Sequence, residues 1–206
     1  MRVITGTARG KRLQTLAGDS IRPTAAGVKE SLFSAIQFEI SGRNALDLFA
    51  GSGQLGIEAL SRGAAGAVFA DRDKHALAVA RRNAEDCGFA ETAAFVQTDA
   101  LVFLSGTAKK FSLVFLDPPY KKQETEENRQ EQELGAKRHG RKHRGQEEPA
   151  GLSLLEEALQ LLPRVLEEDA IVCAESPVQQ ALPTVLGKLA AKEYRYGKTK
   201  LTIYRP

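Results

Sequence analysis

The sequence has no tryptophan, one methionine and two cysteines, and aromatic residues make up only 6% of it. So few rings exclude a large aromatic binding platform. Cys87 and Cys173 lie far apart, which excludes a disulfide-built scaffold and a CxxC zinc site and fits a reducing compartment. Both are expected to be small buried apolar residues. No apolar run approaches the roughly 18 residues that a membrane helix needs. The basic start, MRVITGTARGKR, lacks the apolar stretch of a secretory signal, so a soluble cytoplasmic protein is expected. What is present is an ordinary globular balance: 206 residues, 42% hydrophobic and 27% charged, enough for a core and for one domain over 1–206.

The net charge of +3 is unevenly spread. Residues 1–29 carry Arg2, Arg9, Lys11, Arg12, Arg22 and Lys29 against Asp19, and 187–206 carry six basic residues against Glu193. Basic ends point to a polyanionic partner; solubilising surface charge is the competing reading, and charge alone does not separate them.

Residues 1–15 alternate weakly around Gly6 and Gly10 and read as a short hairpin or arm. A helix follows, with Thr24 as its N-cap and Val28, Leu32, Phe33 and Ile36 on one face. Strand and helix signals then alternate: strands at 45–49, 67–71, 92–98, 112–117 and 170–175, helices at 53–61, 74–87, 153–166 and 178–189. Gly88 is placed to stop the second of these helices, and Pro183 weakens the last. The end reads as two strands around a turn near Gly197. Such alternation means βαβ units and a mostly parallel sheet covered on both faces, with a closing antiparallel hairpin. Residues 121–150 hold eight basic and seven acidic residues but only three apolar ones, so they read as a mobile charged insertion. His139 and His143 lie four apart within it, but no further ligand accompanies them and no metal is expected; His75 reads as a surface residue.

LDLFAGSGQLGIEAL joins the first of these strands to a helix and holds Gly51, Gly53 and Gly56 in the GxGxxG spacing. In this context Gly51 serves a turn, Gly53 close approach of a ligand, and Gly56 close packing of helix on sheet. A plain tight turn is the competing reading. Asp71 ends the next strand, 20 residues after Gly51, where an acid can bind a ribose diol; Asp73 can cap the following helix. Asp47 precedes the loop. It would repel a pyrophosphate and favour a cationic ligand, which points to S-adenosylmethionine over NAD. Asp47, Asp71, Asp99 and Asp117 fall at four successive strand ends. They are either chance capping residues or a converging set for a sulfonium- and amino-bearing cofactor.

FAGSG at 49–53 together with Asp117-Pro118-Pro119-Tyr120 resembles the class I S-adenosylmethionine-dependent amino methyltransferases. A stiff strand-ending turn is the alternative for the DPPY segment. The chemistry suits the residue types. An exocyclic amine delocalises its lone pair into the ring. Acceptors at the Asp117 carboxylate and Pro118 carbonyl would pull it toward tetrahedral geometry, with Pro119 stiffening the loop and Tyr120 stacking the base. RVITGTARGKRL, IRPTAAGVKESLFSAI and LDLFAGSGQLGIEALSRGA are further similar to the bacterial family that methylates the guanine 2-amino group in 16S small-subunit ribosomal RNA. The similarity covers 1–120 well and 151–206 in outline, and the 121–150 insertion departs from it.

The resemblance implies a Rossmann-like fold with a mostly parallel seven-stranded sheet and a small N-terminal hairpin and helix extension over 1–40. It places Asp47, Phe49, Ala50, Gly51, Ser52, Gly53, Gly56, Asp71, Arg72, Asp99 and Ala100 around S-adenosylmethionine, with Asp71 on the ribose and Asp99 on the adenine. Asp117, Pro118, Pro119 and Tyr120 would hold the base. Arg9, Lys11, Arg12, Arg22, Thr24 and Lys29 would meet 16S ribosomal RNA, free or in a small ribosomal subunit. The alternatives are a DNA adenine or cytosine enzyme, a protein glutamine enzyme, an NAD-dependent oxidoreductase, and a non-catalytic RNA-binding module. DNA enzymes usually add a recognition domain, for which this chain has little room. The glutamine enzymes typically carry Asn where Asp117 stands.

Overall fold

Short runs of Ala, Val, Leu and Phe, broken by glycines and polar turns, assemble into one sheet. The computed structural model describes residues 1–16, 23–119 and 153–206, with 23–26 described by backbone alone. Arg22, Tyr120, the 121–150 segment and its histidine pair lie outside the described residues. The elements are α1 (Pro23–Ala35), β1 (Asn44–Asp47), α2 (Gln54–Ser61), β2 (Gly66–Asp71), α3 (Lys74–Asp86), β3 (Ala93–Gln97), α4 (Ala100–Gly106) and β4 (Phe111–Leu116). Then come α5 (Leu154–Leu161) with a 3-10 turn (Leu162–Val165), β5 (Leu166–Pro177), β6 (Val185–Leu186), β7 (Leu189–Tyr196) and β8 (Thr199–Arg205).

The strand order is β3-β2-β1-β4-β5-β8-β7-β6. The first five are parallel, and β8, β7 and β6 add antiparallel pairing. The order reverses between β1 and β4, the point where open α/β sheets bind ligands beyond their carboxyl ends. Period-2 alternation divides the core. Leu113 and Phe115 face the layer that includes Phe33, Ile57 and Leu77, so α1, α2 and α3 cover that side. Val114 and Leu116 face Leu104, Leu155 and Ala158, so α4 and α5 cover the other. The α1 face foreseen from spacing is buried throughout: Val28, Leu32, Phe33 and Ile36 are all in the core. Burying such side chains contributes about 1.5–3 kcal/mol each.

Four expectations need correction. The described sheet has eight strands rather than seven, because β6 adds a two-residue edge. No helix forms over 178–189. Pro183 withholds a backbone donor, and Gly187 turns the chain at φ 61°, so Leu186 and Leu189 are buried as a hairpin instead. The short helix α4 was missed, although Asp99 caps it by accepting from Leu101 and Val102 N–H at 2.9 and 3.3 Å. Thr24 lies within the first turn of α1 rather than before it, since the helix is described from Pro23.

The N-terminal arm is a hairpin, as expected. Arg2 pairs with Arg12 antiparallel, and Val3 N–H donates to Lys11 C=O at 3.0 Å. Its tip rests on the end of α2. Gly6 has φ 89°, and a Cβ there would lie 1.7 Å from the Ser61 carbonyl oxygen. Fully buried Glu58 of α2 accepts from Ile4 and Thr5 N–H at 2.8 and 3.0 Å, and pairs with Lys29 at 3.2 Å and Arg62 at 2.8 Å.

Candidate active site

A cleft of about 600 Å³ opens beyond the carboxyl ends of β1, β2, β3 and β4. Asp47 closes β1 and is paired in register with Phe69 on β2 and Phe115 on β4. Asp71 and Asp117 each follow two residues beyond those partners, so all three acids share one face. Asp47, Asp71, Asp99 and Asp117 all line the cleft, joined by Phe49, Ala50, Gly51, Ser52, Arg72, Ala100, Pro118 and Pro119. The residues singled out for the cofactor are thus brought together, apart from Gly53 and Gly56, which sit behind the lining.

Those two glycines have packing roles. A Cβ on Gly56 would fall 2.4 Å from the Phe69 ring, so α2 can approach the sheet only with glycine there. The Gly56 N–H also donates to Asp47 Oδ2 at 2.9 Å. Gly53 was expected to admit a ligand. It instead stands at φ 79° as the N-cap of α2, with a Cβ position 3.0 Å from Ala80 of α3. The open position is Gly51, at φ 52°, where a Cβ would meet nothing within 4 Å.

Burial pushes the Asp47 carboxyl up to about 7, opposed by the Gly56 hydrogen bond and reinforced by the negative charge of Asp117 and Asp71. An ionised acid buried there is costly and is stabilised by a cation. Asp71 is held in place by the loop it serves. Its Oδ2 accepts from Gly51 N–H at 2.9 Å and its Oδ1 from Asp73 N–H at 2.9 Å. Asp73 caps α3 through His75 N–H at 2.8 Å, so helix capping and the bond to the glycine loop fall to different acids. Asp99 directs Oδ1 to its own helix and is otherwise exposed to the cleft.

Asp117 is half-buried, Pro118 buried and Pro119 exposed, while Tyr120 is outside the described residues. On the neighbouring strand β5, Glu175 follows Ala174, the register partner of Leu116, and therefore stands beside Asp117. Burial and the Asp117 charge hold its carboxyl well above the usual range. Sequence reasoning missed Glu175, because a Glu ending an apolar strand reads as an ordinary solvated terminus. It also missed Met1, Thr15 and Leu16, which the arm contributes to the cleft lining. Weak alternation in an arm gives no hint of where the arm will dock.

The residues assigned to RNA separate. Arg9, Lys11 and Arg12 are exposed on the arm. Lys29 is 5% exposed and paired with Glu58, so it braces α1 against α2 and does not face a phosphate. Its helical position, one residue after Val28, already placed it at the edge of the buried stripe. Arg22 and the Thr24 side chain lie outside the described residues. Cys173 is buried, with its thiol pushed up to about 12 by burial, and Cys87 is half-buried. No helix among the described residues is long and apolar enough to cross a membrane.

A glycine loop at the topological switch point, a buried acid beneath it, and an Asp-Pro-Pro turn on the adjacent strand define a class I S-adenosylmethionine-dependent methyltransferase. The cleft fits that cofactor: Gly51 leaves room at the loop, and four acids suit a cationic ligand and oppose a pyrophosphate. The chain belongs to the family described as Conserved hypothetical protein 95, whose model matches residues 1–136. It is 37% identical over 209 residues to the Bacillus subtilis (strain 168) protein named "Putative rRNA methyltransferase YlbH", covering 100% of this chain and 98% of that one. It is 32% identical over 189 residues to Ribosomal RNA small subunit methyltransferase D of Escherichia coli (strain K12), covering 90% and 79%. The solved structure of yhhF from Escherichia coli superposes with a TM-score of 0.76 at 31% identity, covering 100% and 97%.

Proposed function

We propose that this chain methylates the exocyclic 2-amino group of a guanine in 16S ribosomal RNA, using S-adenosylmethionine, in the cytoplasm. The observation that carries this reading is the placement of Asp117 and Pro118 on the lining of the same cleft as the glycine loop and Asp47. When bound, S-adenosylmethionine supplies a methyl group on a sulfonium, an electrophile that needs no acid from the protein. Gly51, Ser52, Asp71, Arg72, Asp99 and Ala100 would hold the nucleoside part, and Asp47 the cationic end.

The protein's task is to improve the nucleophile and fix its position. The Asp117 carboxylate and Pro118 carbonyl accept hydrogen bonds from the amine, which draws its lone pair out of conjugation. Pro118 and Pro119 fix the backbone, so the acceptors need no reorganisation. Tyr120 offers a ring face to a base that has left its stack. The proton released from the amine goes to the Asp117 carboxylate or to water. The exposed Arg9, Lys11 and Arg12 stand on the arm whose Met1, Thr15 and Leu16 line the cleft, with Lys11 Nζ donating to the Asp86 carbonyl at 3.2 Å at the carboxyl end of α3, so phosphate contacts would run along the arm from the cleft toward its tip.

The test is incubation of ribosomal RNA, free and in small subunits, with methyl-labelled cofactor, followed by nucleoside analysis. N2-methylguanosine is expected. Asp117→Ala should lower the rate by about 10²–10⁴-fold while cofactor affinity stays close to that of the wild type. Label in another nucleoside, or a variant within a few-fold of wild type, contradicts the assignment.

A further inference from the structure

Asn83 sits in the last turn of α3, and it is only 1% exposed. A buried carboxamide has to be satisfied, and the partners of Asn83 all lie outside its own helix. Its Oδ1 accepts from Gln14 N–H at 2.8 Å. Its Nδ2 donates to Gln14 C=O at 3.0 Å and to Ser52 C=O at 2.9 Å. One side chain therefore takes both backbone groups of an arm residue, as a neighbouring strand would, and also grips the glycine loop. The gripped carbonyl lies between Gly51 and Gly53, at φ 52° and 79°, and the N–H of the same peptide donates to Ala50 C=O at 2.7 Å, so Asn83 completes the fixing of that peptide's orientation. Thr15 and Leu16, next to the gripped residue, share the cleft lining with Ser52.

We propose that Asn83 is a positioning residue: it fastens the arm to the glycine loop, so that the arm forms one wall of the cofactor cleft and tightens when the cofactor binds. The proposal rests on the reading that this cleft holds S-adenosylmethionine. The arm's tip is anchored separately, through Glu58 and Ser61. Leu13 is buried and its N–H donates to Met1 C=O at 3.0 Å, so loss of Asn83 frees residues 14–16 and the Ser52 carbonyl without detaching the whole arm. By linkage, whatever orders the loop also orders the arm, and the reverse holds.

The test uses the full chain and S-adenosylmethionine, with titration calorimetry and amide hydrogen exchange. Asn83→Ala removes all three bonds. Asn83→Asp keeps the shape and the acceptor but turns a carboxylate oxygen toward two carbonyls. Both should bind the cofactor about ten-fold more weakly. In the wild type, exchange of residues 14–16 should slow on adding cofactor; in either variant it should not. A merely structural asparagine would lower the melting temperature and leave that slowing in place, which overturns the proposal. So does cofactor affinity within two-fold of wild type in a folded variant. If both variants unfold, the wild type decides: arm amides indifferent to cofactor overturn the latch. A wild type that binds no S-adenosylmethionine overturns the latch and the cofactor reading together. Variants that behave as expected in a protein that methylates no guanine leave the latch standing and break only the substrate assignment.

Discussion

Helix α2 has a fully buried carboxylate at each end, and the two are treated in opposite ways. Near its carboxyl end, Glu58 has two backbone donors and two cations, Lys29 and Arg62, in direct contact. Beneath its amino end, Asp47 has the Gly56 N–H, with two further acids adding to its cost. Glu58 is fully compensated within the fold: it joins the arm, α1 and α2, and its burial is part of the structure's stability. Asp47 is under-compensated and lines the cleft. An acid left that way is a functional signal, because a charge the protein does not neutralise is available to a ligand.

The largest effect should come from breaking the compensated end. Glu58→Gln leaves Lys29 buried without its counter-charge, and burial already pulls that ammonium below the usual lysine range. Denaturant unfolding should show a loss of about 3–5 kcal/mol, with residues 3–8 losing amide protection. A loss near zero would mean that the cluster is no brace. Between the two ends, Gly56→Ala puts a methyl 2.4 Å from the Phe69 ring. Overpacking should destabilise by about 1–3 kcal/mol in the same measurement, and it should disturb the Gly56–Asp47 bond.

The cleft end should respond to pH instead. The Asp47 carboxyl is raised from 3.8 to about 7, so the folded protein binds a proton that the unfolded chain releases. Its contribution to stability is full below the unfolded value and is lost as pH rises through about 7. Asp47→Asn should therefore raise the melting temperature of the ligand-free protein above pH 7 and change it little near pH 4. It should weaken S-adenosylmethionine by about ten-fold. A variant that is less stable at both pH values would show that Asp47 is structural after all, like Glu58. The smallest effect concerns the arm's surface. Lys11→Ala should weaken ribosomal RNA binding a few-fold and reduce the slope of log affinity against log salt by about one.

The same contrast shows what could be read from residues alone. The βαβ order, the glycine loop and the acids at the strand ends were legible, because period and glycine spacing report directly on local geometry, whereas the strand order that makes the switch point comes from long-range pairing. Lys29 was misassigned because a basic residue in a basic segment looks like its neighbours; only the docking of α1 on α2 reveals its partner, 29 residues away. Asn83 and Glu175 gave no signal, since one sits in a helix and the other at a strand end, and their partners come from other elements. The 178–189 error had a visible cause, Pro183, outweighed by apolar spacing that also suits a hairpin.

The cleft over β1 takes a cationic cofactor. Titration calorimetry with S-adenosylmethionine and with NAD, from about pH 5.5 to about pH 7.5, tests it most directly. S-adenosylmethionine should bind more tightly across this range as Asp47 ionises, with proton release, and NAD should give no heat. Binding of NAD without binding of S-adenosylmethionine would contradict it.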